Sequence, residues 1–238
     1  MLLQNWPMRK KAPIVAALSL AAFAGFSGGL VGQLNPTPQA KLYGVTTAKM
    51  AYQNSFANVG MVVGGSVFFP IAHKFGRSSA VFWSLVGLMV AVIWSATMTQ
   101  SSDYWSFLGS RFLSGIFGTV AGILGPRILV DLFFLHQRGR AFTVFHFFMD
   151  FGTIGGPTLG AFVASGRLWT SAYWYAFALA SFAMLMCFFF LHDTAWDRSA
   201  RADNHKTVPE GFIAGRIATL LPGTRVTPDI SFRELVSS

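Results

Sequence analysis

The sequence predicts an all-α, polytopic membrane protein with six transmembrane helices, and three observations carry that expectation. Hydrophobic residues make up 53% of the 238 and charged residues 11%, with a mean hydropathy of +0.50. A soluble domain carries about a quarter charged residues, so these few charges could not cover a water-soluble globule. The acids are lopsided: six of the nine lie at or after Asp193, leaving Asp103, Asp131 and Asp150 before it. Between the charges run apolar stretches of about 20 residues or more, the length that crosses the hydrocarbon core as a helix. The chain divides accordingly into a short N-terminal segment (1–11), an apolar membrane body (12–192) and a polar tail (193–238).

Span one, Ala12–Gly32, carries no charge and follows Arg9, Lys10 and Lys11. That opening resembles a signal peptide, but the apolar run is longer than a usual h-region and five more runs follow, so it reads as a retained helix. Spans two (Met50–Ala72) and three (Ser78–Ser102) are also charge-free, joined by the tight link His73–Arg77. Span four, Tyr104–Phe134, is interrupted by Arg111, Arg127 and Asp131. Span five, Ala141–Ser165, contains His146 and Asp150, and span six, Trp169–Leu191, is charge-free and aromatic. The link Gln33–Lys49 is longer and holds Asn35-Pro36-Thr37, a sequon silenced by its central proline.

Lys and Arg accumulate in short cytoplasmic loops. With the N-terminus inside, ten of them (Arg9, Lys10, Lys11, Lys74, Arg77, Arg138, Arg140, Arg198, Arg201, Lys206) fall on the inner side, against Lys41, Lys49 and Arg167 outside. Both termini are therefore expected in the cytoplasm, with Tyr104, Trp105, Trp169 and Trp174 near the outer interface. The same distribution accounts for the net charge of +9 without nucleic acid, because no basic stripe or reading motif accompanies it. Cys187 is alone, and His73, His136, His146, His192 and His205 are scattered without metal-ligand spacing. No metal, no cofactor and no enzymatic constellation is expected.

Small residues crowd the spans: Gly25, Gly28 and Gly29; Gly60, Gly64 and Gly65; Gly115, Gly118, Gly122 and Gly125. They let helix backbones approach closely where packing drives association. In span five Gly152, Gly155, Gly156, Pro157 and Gly160 fall together, and Pro157 removes a helix hydrogen bond, so a kinked, small-faced helix is expected there. Ionisable groups in the hydrocarbon region face the bundle interior by default and mark function. Arg111 lies about two turns below the outer interface at helical rise. His146 and Asp150 share one helix face, as do Arg127 and Asp131. Arg127 could pair with Asp131 or with Asp150; an Asp150–His146 set could equally carry protons near neutral pH. Gln53, Asn54 and Asn58 read as interhelical hydrogen-bonding groups or as the wall of a solute path.

Several motifs, in order along the chain, resemble the major facilitator superfamily. Phe69–Ser78 (FPIAHKFGRS) is similar to its loop signature G-x-L-x-D-R-x-G-R-R, with Ile71, Lys74, Gly76 and Arg77 at matching or closely substituted positions. It departs at Phe69, at His73 for the Asp and at Ser78. Arg111 with Gly115 resembles the R-x-x-x-G signature of span four. Gly152-x-x-x-Gly156-Pro157-x-x-Gly160 resembles the signature of proton-coupled antiporters, with Ala161 for its last Gly. The stretch Asp131–Arg140, the opening Asn5-Trp6-Pro7 and the exit Asp193–Arg198 resemble fungal members.

The resemblance implies an N-terminal six-helix bundle built as two inverted three-helix repeats. It implies a secondary active transporter of a small organic solute, with protons as the coupling ion, efflux as the direction and the plasma membrane as its site. Lys74, Gly76 and Arg77 would form an inner gate with Asp131. Arg111 would take the proton-coupling or substrate-facing role, and Gly152, Gly156, Pro157 and Gly160 the antiport kink; Arg127, His146 and Asp150 join Arg111 as candidates for proton coupling or the solute path on their charge within the spans alone. Family members of full length have twelve or more spans. The chain therefore corresponds to a truncated product, to a half-transporter that joins a second half or a second copy in the lipid bilayer, or to a non-transporting remnant or scaffold.

Overall fold

The computed structural model describes residues 6–191 and Leu220, the side chains of Lys74 and Phe75 excepted. Among these residues every regular element is helical: α1 (Met8–Leu30), α2 (Pro36–Tyr43), α3 (Thr47–Met50), α4 (Tyr52–Phe75), α5 (Arg77–Thr97), α6 (Tyr104–Gly118), α7 (Val120–Leu132), α8 (Leu135–Ala164) and α9 (Ser171–Phe190), with a 3-10 turn at Ser101–Asp103. Five stretches are long and apolar enough to cross a membrane: Met8–Leu30, Thr47–His73, Arg77–Thr97, Ser101–Leu132 and Ser171–Phe190. α8 is long enough at 30 residues, but Arg138, Arg140, His146 and Asp150 dilute its hydropathy. It takes its place as the sixth rod through packing on α1.

The packing repeats itself. With α1, α4 and α5 as one triplet and α6–α7, α8 and α9 as the other, α1 lies against α8 as α4 lies against α6. Likewise α5 lies against α6 as α9 lies against α1, while α5–α9 and α1–α6 join equivalent helices. Equivalent spans run in opposite directions through the bilayer, so the triplets are inverted repeats. α1 is the most enclosed rod, with Ile14, Leu18, Ala21, Ala22 and Ala24 inside. α5 and α9 turn Trp83, Val90, Phe182 and Phe189 outward.

Small residues set these crossings. A Cβ at Gly115 of α6 would collide with the Ala57 carbonyl of α4, and one at Gly60 of α4 with the Phe112 carbonyl of α6. Lipid tails are as apolar as leucine, so close backbone approach rather than escape from water holds such helices together.

Several boundaries differ from the sequence reading. α1 begins at Met8, inside the segment assigned to the cytoplasm, and α8 begins at Leu135 rather than Ala141. Arg138 explains the second shift: its Nε and Nη2 donate to the Phe133 and Val130 carbonyls at 3.1 and 3.0 Å, satisfying the end of α7 and starting α8 at once. Span four is two helices interrupted at Thr119. The bonds Thr119 N–H to Gly115 O and Ile123 N–H to Thr119 O carry one rod through the interruption. The link before span two contains α2 and α3, started by Pro36 and by the Thr46 hydroxyl accepting from the Lys49 amide. The tail from 193 onward lies outside the described residues except Leu220. Its carbonyl accepts from Ser79 Oγ (2.8 Å) and Trp83 Nε1 (3.0 Å) at the inner end of α5.

Candidate functional site

At the end of the bundle that the Lys/Arg bias assigns to the inner side, Gly76 forms the whole turn between α4 and α5, with φ +99°. Only glycine adopts that backbone readily. The turn delivers Arg77, first residue of α5, to Asp131 near the end of α7, and the two form an ion pair. Both members keep partial exposure. Lys74 lies in the last turn of α4, two residues before Gly76, and its side chain lies outside the described set.

One turn earlier on α7, Arg127 reaches across to α4. Its Nη1 lies 2.9 Å from His73 Nε2, and its guanidinium carbon sits 4.0 Å from the centre of the Phe69 ring. Arginine can only donate, so the geometry assigns His73 Nε2 as the acceptor. Neither pairing read from the sequence forms. Asp131 is taken by Arg77 of α5 rather than by Arg127 on its own helix. Asp150 stands ~22 Å along α8 from its inner end, whereas Arg127 stands ~8 Å from the inner end of α7 at 1.5 Å per residue. Arg127 is also turned towards α4.

Arg111 lies inside the bundle and is 1% exposed. Its Nη1 and Nη2 donate to the Gly28 and Gly29 carbonyls of α1 at 3.4 and 2.5 Å, and its guanidinium carbon lies 5.5 Å from the Tyr173 ring centre. The Tyr173 hydroxyl accepts from Gln39 Nε2 at 3.2 Å. Gln53 Nε2 bonds Gln39 Oε1 at 2.8 Å and reaches the Gly32 carbonyl at 3.4 Å. This buried ladder ties α1, α2, α4, α6 and α9 together towards the end of the bundle opposite the Gly76 turn. Gln53 thus acts between helices, Asn54 is half-buried and Asn58 is exposed. The sequence reading missed Gln39 and Tyr173. A signal for Tyr173 existed: Ala172, Ala176, Ala180, Ala183 and Cys187 form the buried stripe of α9, and Tyr173 flanks it.

The outer aromatic residues divide. Trp105 and Trp174 are exposed, whereas Tyr104 and Trp169 turn inward to Tyr43, Phe107 and Tyr173. The Tyr43 hydroxyl donates to the Met98 carbonyl at 2.6 Å, clasping α2 onto the bundle.

α8 presents two faces. Gly152, Gly156, Pro157 and Gly160 are buried. A Cβ at Gly152 would come within 2.7 Å of the Phe23 carbonyl of α1, and one at Gly156 would collide with Ser27. The helix continues unbroken through Pro157. The other face exposes His146, Asp150, Thr153 and Thr158. His146 Nδ1 donates to its own helix at Phe142 O, 2.9 Å away. No described residue forms a hydrogen bond or ion pair with the Asp150 carboxylate. The equivalent rod, α4, likewise exposes Ser55, Asn58 and Ser66.

The comparisons fit this architecture. Residues 17–233 match the profile of the Major Facilitator Superfamily. An ascochitine biosynthesis cluster MFS transporter of Didymella fabae is 30% identical over 80% of this chain and 37% of its own length. The efflux pump radE of Floropilus chiversii is 26% identical over 72% of this chain and 31% of its own. The crystal structure of the human organic anion transporter MFSD10 superposes with a TM-score of 0.60 at 20% identity, covering 77% of this chain and 48% of that one. The chain thus spans less than half the length of the relatives it matches. On the profile match, the ordered motifs and the inverted triplets of helices, the chain belongs to the major facilitator superfamily.

Proposed function

We propose that this chain forms the N-terminal bundle of a proton-coupled exporter of a small organic solute. The exposed polar faces of α4 and α8 would flank the solute path, completed by a second bundle. The observation that carries this reading is Asp150. It is a carboxylate in the middle of a membrane-length helix, exposed on the bundle's own surface and without a described partner. A purely structural acid would be paired, since an unpaired charge at bilayer depth costs several kcal/mol (about 2.5–3.5 on insertion scales). Facing a water-filled path beside His146, it can take up and release a proton. The relatives named as an efflux pump and a biosynthesis-cluster transporter support the outward direction.

Arg77–Asp131 would serve as the inner latch. A half-exposed pair contributes only about 0–1 kcal/mol, which suits a contact that must open in each cycle. Gly76 would be its pivot, with Lys74 in the last turn of α4 beside it. The Gly152–Gly160 face would be the surface on which α8 rocks against α1. The Lys/Arg bias supports cytoplasmic termini, and the plasma membrane is the proposed site. The test is proton-driven flux of a fluorescent organic solute in proteoliposomes, with the second half or a second copy supplied. Asp150→Asn should abolish coupled flux while leaving expression and solute exchange in place, because it breaks no described contact. Unchanged pH dependence in a well-expressed Asp150→Asn variant would refute the coupling role. Absence of flux in every reconstitution would favour a non-transporting scaffold.

A further inference from the structure

We propose that Arg127, held by His73 and Phe69, is an oxyanion-binding subsite, so that the molecule recognised at the inner mouth carries a carboxylate or phosphate group. The inference rests on the reading of this face as a solute path and gives the solute a chemical class.

Three features of the cluster point there. First, no described carboxylate reaches Arg127: Asp131, one turn away, is engaged by Arg77, and Asp150 lies far along another helix. Second, the guanidinium is positioned without being consumed. His73 Nε2 accepts from one of its five N–H donors, and Phe69 lies against its carbon at 4.0 Å. A contact to an aromatic ring consumes none of the guanidinium's N–H donors. No other protein acceptor meets those N–H groups among the described residues. Third, the site is open: Phe69 is 39% exposed, His73 is exposed and Arg127 is half-buried. Among the described side chains the charged groups around it are Arg77 and Asp131, already paired, and His73, as the acceptor, stands there as a neutral imidazole. Histidine at 73, where an acid would neutralise Arg127, leaves the cluster cationic. A planar fork of free donors matches the two oxygens of a carboxylate or phosphate. That shared chemistry has two sources, a soluble organic anion or an anionic lipid headgroup of the inner leaflet.

The test uses the whole chain in phosphatidylcholine nanodiscs with 4-fluorobenzoate as probe and 4-fluorobenzamide as its neutral counterpart, followed by fluorine NMR line broadening. Saturable broadening of the benzoate and not of the benzamide is expected. Arg127→Gln should weaken it at least about tenfold, the discrimination of a lost bidentate contact. Arg127→Lys should retain part of the binding, and Arg167→Gln all of it. Far-UV circular dichroism on each variant checks the fold, and Arg127→Lys preserves the charge if Arg127→Gln fails to assemble. Discs with 30% phosphatidylserine separate the sources. Loss of benzoate binding there supports the site with a headgroup as competitor, and unchanged binding supports it with a soluble anion as occupant. Equal broadening by wild type and Arg127→Gln, equal broadening by benzamide, or no broadening in either disc overturns the proposal. Binding requires no transport, so binding without solute flux overturns the transport reading alone.

Discussion

At the scale of single residues, the same residue type is used in three ways within this bundle. Arg77 meets a carboxylate, Arg127 an imidazole and a phenyl ring, and Arg111 two backbone carbonyls and a tyrosine ring. The carbonyls of Gly28 and Gly29 are reachable because glycines keep α1 bare at that level. Arg111→Ala should therefore lower stability by about 2–4 kcal/mol through lost charge-assisted bonds and a cavity. Thiol-dye thermal unfolding reads this directly, because Cys187 is the single cysteine of the chain and is fully buried. An unfolding midpoint equal to wild type would show that Arg111 adds no structural support. Tyr43 lies outside the membrane spans and allows a pH prediction. Burial first, then Tyr173 and Asp103, holds its hydroxyl well above the ordinary value of 10.0. The folded state thus keeps this proton more tightly than the unfolded one. The clasp to Met98 is intact below pH ~10 and weakens as pH rises beyond it. Alkaline difference spectroscopy should find one late-ionising tyrosine fewer in Tyr43→Phe than in the wild type.

At the scale of helices, the crossings depend on the absence of side chains. Gly115 of α6 sits against α4, whereas Gly109, six residues earlier on the same helix, has only the tip of Trp94 at 4.0 Å. Gly115→Val should separate the rods and cost about 1–3 kcal/mol, the usual range for overpacking, while Gly109→Ala should be close to neutral. Matched thermal unfolding curves that do not distinguish the two would contradict the close-approach account. In α8 the crowded glycines and Pro157 lie within one continuous helix, and the small face they form packs on α1. Periodicity in the sequence shows that one face is small; it does not say which helix that face meets. The length of α8 was similarly hidden, since Arg138 looked like a loop charge until its carbonyl partners on α7 were known.

At the scale of the whole molecule, six consecutive crossings alternate in direction, so one assigned end fixes the side of every link. A topology test follows. Lys41→Cys lies on α2 beyond the outer end of α1, and His136→Cys lies at the inner start of α8; both residues are exposed. In intact cells an impermeant thiol reagent should label the first and reach the second only after permeabilisation. The reverse pattern would invert the assignment of both termini to the cytoplasm.

The sequence by itself determined the membrane class, the number of rods, their approximate limits and the glycines that let them touch. These follow from hydropathy and side-chain volume, properties each residue carries with it. It also held Arg77 and Asp131 together through the family resemblance. Only the tertiary structure decided which charges meet and which face open surface. Arg127 chose His73 over either acid, Arg111 turned into the bundle, Tyr104 and Trp169 left the rim for the core, and Asp150 remained outward. Those outcomes depend on the rotation of each helix about its axis and on its depth relative to its neighbours. Four residues of helix carry a side chain ~6 Å along the axis, further than a hydrogen bond can stretch, so partners on different rods are selected by packing and not by spacing along the chain.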